Sequence, residues 1–166
     1  MSSQISIRLA APKDLPSINA IYNEYPAQST TTYDLEPWSA RQREAWFVDR
    51  EAIHPVTVAC REDQVVGWGS LGTFRSRPAY RRTVENSVYV HPSFVRQGVG
   101  SALMADQIAR ARQLGLRTII AAIDSEQAGS LALHTKHGFV EAGRFPNIGR
   151  KFDRWLTSIF MQLMLD

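Results

Sequence analysis

The chain has 166 residues, 44% hydrophobic and 21% charged, with a formal net charge of +3 and one cysteine. That length fits a single domain over residues 1–166 with a sizeable core, and the composition is that of an ordinary globular chain. It excludes several classes: the longest apolar run, Ile119–Ile123, is far too short for a membrane span, the start MSSQISIRLA lacks a secretory pattern, and a lone cysteine forms no internal disulfide. Cys60 lies in an apolar, strand-like run and reads as a buried thiol suited to a reducing compartment, so a cytoplasmic location is expected.

In chain order, Ile5–Leu9 alternates apolar and polar residues as a half-buried strand does. Asp14 opens a helix with Leu15, Ile18, Ile21 and Tyr22 as its apolar positions. Ser29–Pro37 is polar and turn-like, and Ser39 is suited to cap a second helix through Trp46 and Phe47 to about Ile53. Val56–Arg61, the turn Glu62-Asp63-Gln64 and Val65–Phe74 predict a β-hairpin. A basic loop, RSRPAYRR, leads into a strand over Val84–Val90. The next helix, Gly100–Leu114, places Leu103, Met104, Ile108, Ala111 and Leu114 on one face and stops at Gly115. Arg117–Ile123 is almost continuously apolar, as a strand covered on both faces would be. Strand, helix and strand in that order make a right-handed βαβ unit with parallel strands. A helix over Ala128–His137 ends at Gly138, and strands at Phe139–Arg144 and Trp155–Leu165 close the chain. The fold class is α/β with a mixed central sheet flanked by helices.

Between the strand at Val84–Val90 and the following helix lies Arg96-Gln97-Gly98-Val99-Gly100-Ser101. A helix N-terminus presents free amides and partial positive charge, and glycines let the backbone approach an anion closely. The Gly-Lys-Ser/Thr ending of one nucleotide loop is missing, and Leu103 stands where a dinucleotide fingerprint needs its third glycine.

The loop resembles motif A of the GCN5-related N-acetyltransferases (GNAT), Arg/Gln-x-x-Gly-x-Gly/Ala, on Arg96, Gly98 and Gly100, with Gln97 and Ser101 in the same loop. A second family segment, Asn-x-x-Ser/Ala-x-x-Leu-Tyr/His followed by Gly-Phe, is matched by QAGSLALHTKHGF through Ser130, Leu133, His134, Gly138 and Phe139. Gln127 replaces the usual asparagine and His137 a usually apolar residue. The stretches FRSRPAYRRTVENSVYVHPSFVRQGVGSALM and RKFDRWLTSIFMQLML are similar to the phosphinothricin and methionine sulfone acetyltransferase branch, and the resemblance covers nearly the whole chain.

That resemblance implies a GNAT fold with splayed parallel strands around an acetyl-CoA loop, and acetyl transfer to the amine of a small amino acid or analogue in a ternary complex. Pantetheine is implied to lie along Val88, Tyr89 and Val90, with the pyrophosphate on residues 96–101, Val99 included, and further contacts from Gln127 and Ser130. Glu85 is the candidate general base, against the alternative of a carboxylate that orders the basic loop. His134 is the candidate proton donor to the departing thiolate, against a helix histidine packed under the last strand. Arg75 and Arg77 read as a fork for a substrate carboxylate, with solvated loop charge or a nucleic-acid patch as the alternatives. Thr32 and Tyr33 lie in the segment implied to cover the amine pocket. No metal is expected, because His134 and His137 have no third ligand nearby in sequence, and no nucleic acid, because solvated charge is the commoner origin of such a basic run. A homodimer is expected. Rival functions are acetylation of a protein N-terminus, lysine or polyamine, and a non-catalytic coenzyme-A or nucleic-acid binding module.

Overall fold

The alternating Ile5–Leu9 (β1) and the apolar Val56–Arg61 (β2) pair antiparallel, and β2 turns back through Glu62-Asp63 into Gln64–Thr73 (β3). The turn is one residue shorter than expected, because Gln64 already pairs with Arg61. Strands Thr83–Val90 (β4), Thr118–Asp124 (β5), Val140–Lys151 (β6) and Arg154–Met164 (β7) complete a seven-stranded sheet in the order β1-β2-β3-β4-β5-β7-β6. The helices are Leu15–Asn23 (α1), Ala40–Val48 (α2), Val99–Gln113 (α3) and Ala128–Lys136 (α4). This computed structural model describes residues 4–165.

One pair of strands is parallel, β4 with β5, joined by α3 as the βαβ reading requires. Their pairing covers only Thr83↔Thr118, Val84↔Ile119 and Glu85↔Ile120. Beyond that point β4 pairs only with β3 and β5 only with β7, so the two strands part and leave a gap. Side chains alternate along β4. Val84 joins the core beneath α3, while Tyr89 meets Tyr22 of α1 on the other face.

Helix α3 buries Leu103 and Met104 completely, each contributing about 1.5–3 kcal/mol by removal from water. It lies close to the sheet because β3 offers glycines there. A Cβ on Gly67 would stand 2.8 Å from Val99 Cγ1, and one on Gly69 2.5 Å from Gln107 Nε2 and 3.0 Å from the Ser87 carbonyl. Gly69→Ala is therefore expected to destabilise the fold by about 1–3 kcal/mol, read as a lower urea midpoint at unchanged slope.

The structure corrects two expected elements. Helix α2 starts as expected, with Ser39 and Gln42 forming a capping box, but it ends at Val48 rather than near Ile53. The Arg50 side chain leaves the helix to bond the carbonyls of His54 and Leu71, and His54 N–H closes a turn on Glu51. Strand β6 runs to Lys151 instead of stopping at Arg144. Irregularities between Glu141 and Gly143 and between Phe145 and Gly149 break its alternation, and Phe152 and Asp153, both at positive φ, form a tight turn into β7.

On the α1–α2 face, Arg43 is buried among Tyr22, Trp38, Trp46 and Trp68, its guanidinium 4.3–5.2 Å from the four ring centres. Burial lowers its pKa to about 10.

Candidate active site

The gap between β4 and β5 opens beside the start of α3. Gly98 caps this helix in the left-handed region (φ 86°), and Arg96 also has positive φ (60°). Counted strictly, the Arg/Gln-x-x-Gly-x-Gly/Ala spacing runs Gln97, Gly100, Ala102, so Gly98 enters as the residue whose backbone turns the chain into the helix. The first intrahelical bond is Ala102 N–H to Gly98 O at 3.0 Å, which leaves the amides of Val99, Gly100 and Ser101 without helical acceptors. Arg96 and Gln97 are exposed, whereas the Val99 side chain is in the core, so only its backbone faces the loop. Gln97 accepts from Arg61 (2.7 Å) and donates to Ser93 O (3.0 Å). Ser101 Oγ lies 2.8 Å from His137 Nε2, so the unexpected histidine of α4 reaches the loop. A Cβ on Gly100 would come within 3.2 Å of Leu133 Cδ2 and 3.7 Å of Val90 Cγ2, filling the space between α3, α4 and β4.

A cleft of about 260 Å³ occupies the gap, and both Glu85 and His134 line it. Glu85 is half-buried, and burial pushes its carboxyl above the usual value of 4.5. His134 is buried against Phe139, ring centres 4.9 Å apart. Its Nδ1 lies 2.8 Å from the Ser130 carbonyl, which only accepts, so Nδ1 carries the proton. Its Nε2 lies 3.2 Å from Asn86 Nδ2. Asn86 is oriented in turn by Gln107, whose Nε2 donates to Ser87 O (2.8 Å) and Ser70 O (3.2 Å), leaving Oε1 to accept from Asn86 at 3.3 Å. This Gln107–Asn86–His134–Ser130 chain holds the imidazole as a neutral Nδ1–H tautomer, and burial lowers its pKa below 6.5. Asn86 and Gln107 escaped the sequence reading because nothing in their local pattern marks them; alternation alone puts Asn86 on the opposite face from Glu85.

The opposite wall of the cleft is Thr30–Tyr33, a strap without helix or strand. Asp124, at the end of β5, also lines it and was not anticipated: it accepts from the Tyr33 hydroxyl (2.6 Å), Thr30 Oγ1 (3.0 Å) and Glu126 N–H (3.0 Å). Burial, together with the bond to Asp124, raises the Tyr33 phenol pKa well above 10. Lys151 Nζ donates to the carbonyls of Thr32 (2.8 Å) and Asp34 (2.9 Å). Gly149 admits the Tyr33 ring, since a Cβ there would lie 2.7 Å from it. Val88, Tyr89, Gln127 and Ser130 line the cleft too, and the Tyr89 ring stacks on Trp68 at 4.9 Å.

Arg75 and Arg77 are not in this cleft. They are exposed and line an adjoining one with His54, Tyr80 and Thr83. Thr83 of that cleft and Glu85 of the central one project from the same face of β4, two residues apart. Arg81, in the same basic loop, forms an exposed ion pair with Glu51 at 3.0 Å. No lysine or arginine lines the central cleft among the described residues. Nor do any three His, Cys, Asp or Glu side chains among them group closely enough to hold a metal ion, and no described helix is long and apolar enough to cross a membrane.

A parallel strand pair that splays beside a glycine-turned helix start with no side-chain cap, with a carboxylate and an imidazole in the gap, matches what the resemblance implies for an acyl-coenzyme-A-dependent transferase. The chain belongs to the acetyltransferase (GNAT) family, whose model matches residues 17–139, and it is an N-acetyltransferase. It is 42% identical over 163 residues to the L-methionine sulfoximine/L-methionine sulfone acetyltransferase of Pseudomonas aeruginosa, covering 97% of this chain and 95% of that protein. It is 40% identical over 163 residues to an L-amino acid N-acyltransferase of Escherichia coli, covering 98% and 95%. A solved phosphinothricin acetyltransferase from Sinorhizobium meliloti in complex with acetyl-CoA superposes with a TM-score of 0.93 at 35% identity, covering 99% of this chain and 89% of that one.

Proposed function

We propose that this single-domain protein acetylates the α-amine of a small amino acid or analogue of the methionine sulfone, methionine sulfoximine and phosphinothricin type. The carrying observation is the cleft lined by both Glu85 and His134, together with the free amides of Val99, Gly100 and Ser101 at the α3 start that follows β4. The substrates named for its relatives support the choice of acceptor. The loop fits acetyl-CoA because its amides are uncapped and the space at Gly100 is one that a side chain would fill. Residues 96–101 would hold the pyrophosphate, and Val88–Val90 would hold the pantetheine arm by strand addition. Bound acetyl-CoA supplies an electrophilic thioester carbonyl.

Glu85, when ionised, takes the proton of the incoming ammonium, directly or through a water. An N–H of Val88 or Tyr89, both of which line the cleft, would serve as the donor to the carbonyl oxygen. His134, neutral at its Nε2, carries the second amine proton across the cleft to the sulfur side. Transfer is direct: Cys60 is buried in β2 and does not line the cleft. The reaction uses no metal, and its setting is the cytoplasm, which suits a free buried thiol.

Arg75 and Arg77 reach the acceptor's carboxylate from the adjoining cleft. Arg75→Ala or Arg77→Ala is therefore expected to raise KM for the amino acid about 10- to 150-fold, the worth of a charge-assisted hydrogen bond, with little change for acetyl-CoA. Equal wild-type activity on the decarboxylated amine would remove the fork.

A second reading, a polyamine acceptor, is favoured by one observation: Glu85 and Asp124 line the central cleft and no cation does. Thiol release from acetyl-CoA, followed with methionine sulfone, methionine sulfoximine, phosphinothricin, other amino acids and polyamines, decides between them. Turnover of polyamines alone would overturn the amino-acid reading.

We further infer a homodimer. Phe145, Ile148, Phe152 and Trp155 of β6–β7 are all exposed, which suits contact with a second copy. A monomer by light scattering at micromolar concentration would refute it.

A further inference from the structure

Side chains from distant parts of the chain hold the strap at residues 30–34. Asp124 and Lys151 bind it from the ends of β5 and β6. Gln127 binds it from the N-cap of α4, the segment that would also meet the pantetheine arm. Its Nε2 donates to Thr30 Oγ1 at 2.9 Å, and its Oε1 accepts from Thr31 Oγ1 at 3.3 Å. A primary amide has two N–H donors and two lone pairs. The strap takes one of each, and Gln127 lines the cleft with the other two available. A pantetheine arm is built from secondary amides, each of which can bond one of these two free positions.

We propose that Gln127 is a positioning residue that couples the cofactor groove to the acceptor wall. An arm amide engages one side of its carboxamide while Thr30 and Thr31 engage the other, so filling the groove fixes the strap and tightens acceptor binding. The coupling is reciprocal, since each ligand strengthens the other by the same factor. It rests on the reading of the gap as the acetyl-CoA groove and of the strap as the acceptor wall. The extra methylene relative to the family's asparagine makes the link. Asparagine from the same Cα would be shorter by one C–C bond, about 1.5 Å, which takes both contacts out of hydrogen-bond range.

The test is hydrogen exchange on the full chain, with and without saturating coenzyme A, in the wild type, Gln127→Asn and Thr31→Val. The two variants cut the same link from opposite ends. In the wild type, coenzyme A should slow exchange at residues 96–101 and also, by about fivefold or more, at residues 30–34. Both variants should keep the first effect and lose the second. A merely structural role would alter strap exchange equally with and without coenzyme A. With acetyl-CoA saturating, Gln127→Asn should also raise KM for methionine sulfone about fivefold or more. Wild-type slowing at the strap in both variants, or none in the wild type while 96–101 is protected, overturns the coupling alone. No protection at 96–101 in the wild type overturns the groove reading, and the coupling with it. Failure to acetylate methionine sulfone removes that acceptor, while the exchange result still decides the coupling.

Discussion

Gly100→Val is expected to abolish acetyl-CoA binding while the protein remains folded. A Cβ on Gly100 would lie 3.2 Å from Leu133 and 3.7 Å from Val90, where α3, α4 and β4 converge, and is already tight there; the pyrophosphate groove is proposed to begin at this point. The two further carbons of valine occupy the groove and hold a ligand away from the amides of residues 99–101. Losing two or more charge-assisted hydrogen bonds at about 1.5–3 kcal/mol each weakens binding by at least about 100-fold. Calorimetric titration with acetyl-CoA measures this, with circular dichroism to show that the fold is kept. Gly98→Ala is the companion variant. Its Cβ meets nothing closer than 4.0 Å, but the backbone at φ 86° costs a non-glycine residue about 1–2 kcal/mol, so it should bind detectably and unfold earlier. Unchanged affinity in Gly100→Val would take the pyrophosphate away from this loop.

The second large effect concerns Glu85. Glu85→Gln keeps the shape of the side chain and removes its basicity, so kcat should fall about 10²- to 10⁴-fold with acetyl-CoA affinity little changed. The pH dependence has a definite sign. A base works ionised, and burial places the Glu85 pKa above 4.5, so the wild-type rate falls as pH drops through that raised value. In the variant this limb should disappear. His134 behaves differently: its pKa lies below 6.5, so it is neutral at pH 7 and above and holds no proton at Nε2 while resting. His134→Ala should therefore lower kcat without displacing the Glu85 limb. A wild-type limb retained in Glu85→Gln would assign the base elsewhere, and Asp124 would be the next carboxylate to examine.

Local signals in the sequence carried much of this structure. The Ser39 cap, the β2–β3 hairpin and the strand–glycine–helix segment at residues 84–114 each rest on contacts within a few residues, and each formed where it was read, with ends shifted by a residue. The end of α2 depends on Arg50 finding the Leu71 carbonyl, and β6 continues beyond Arg144 because β7 is there to pair with it. Neither partner is local. The site divides in the same way. Glu85, His134 and the loop at 96–101 belong to recognisable segments, whereas Asp124 meets Thr30 at a separation of 94 residues and Lys151 meets Thr32 at 119. No periodicity encodes such pairs, so Asp124 went unread in the central cleft while Glu85 did not.

The arginine-centred ring cluster gives the molecule an optical address. Trp38, Trp46 and Trp68 surround Arg43, whereas the fourth tryptophan, Trp155, stands 61% exposed at the start of β7. The clustered indoles should emit at shorter wavelength and exchange excitation among themselves, while Trp155 emits as a solvated indole open to added iodide. Tyr89, stacked on Trp68 and lining the cleft, ties the cluster's emission to what enters the site. Ligand arrival and the proposed subunit association thus fall on different chromophores of the same unlabelled chain: the first should shift the blue component, and the second should shield the red one from quencher.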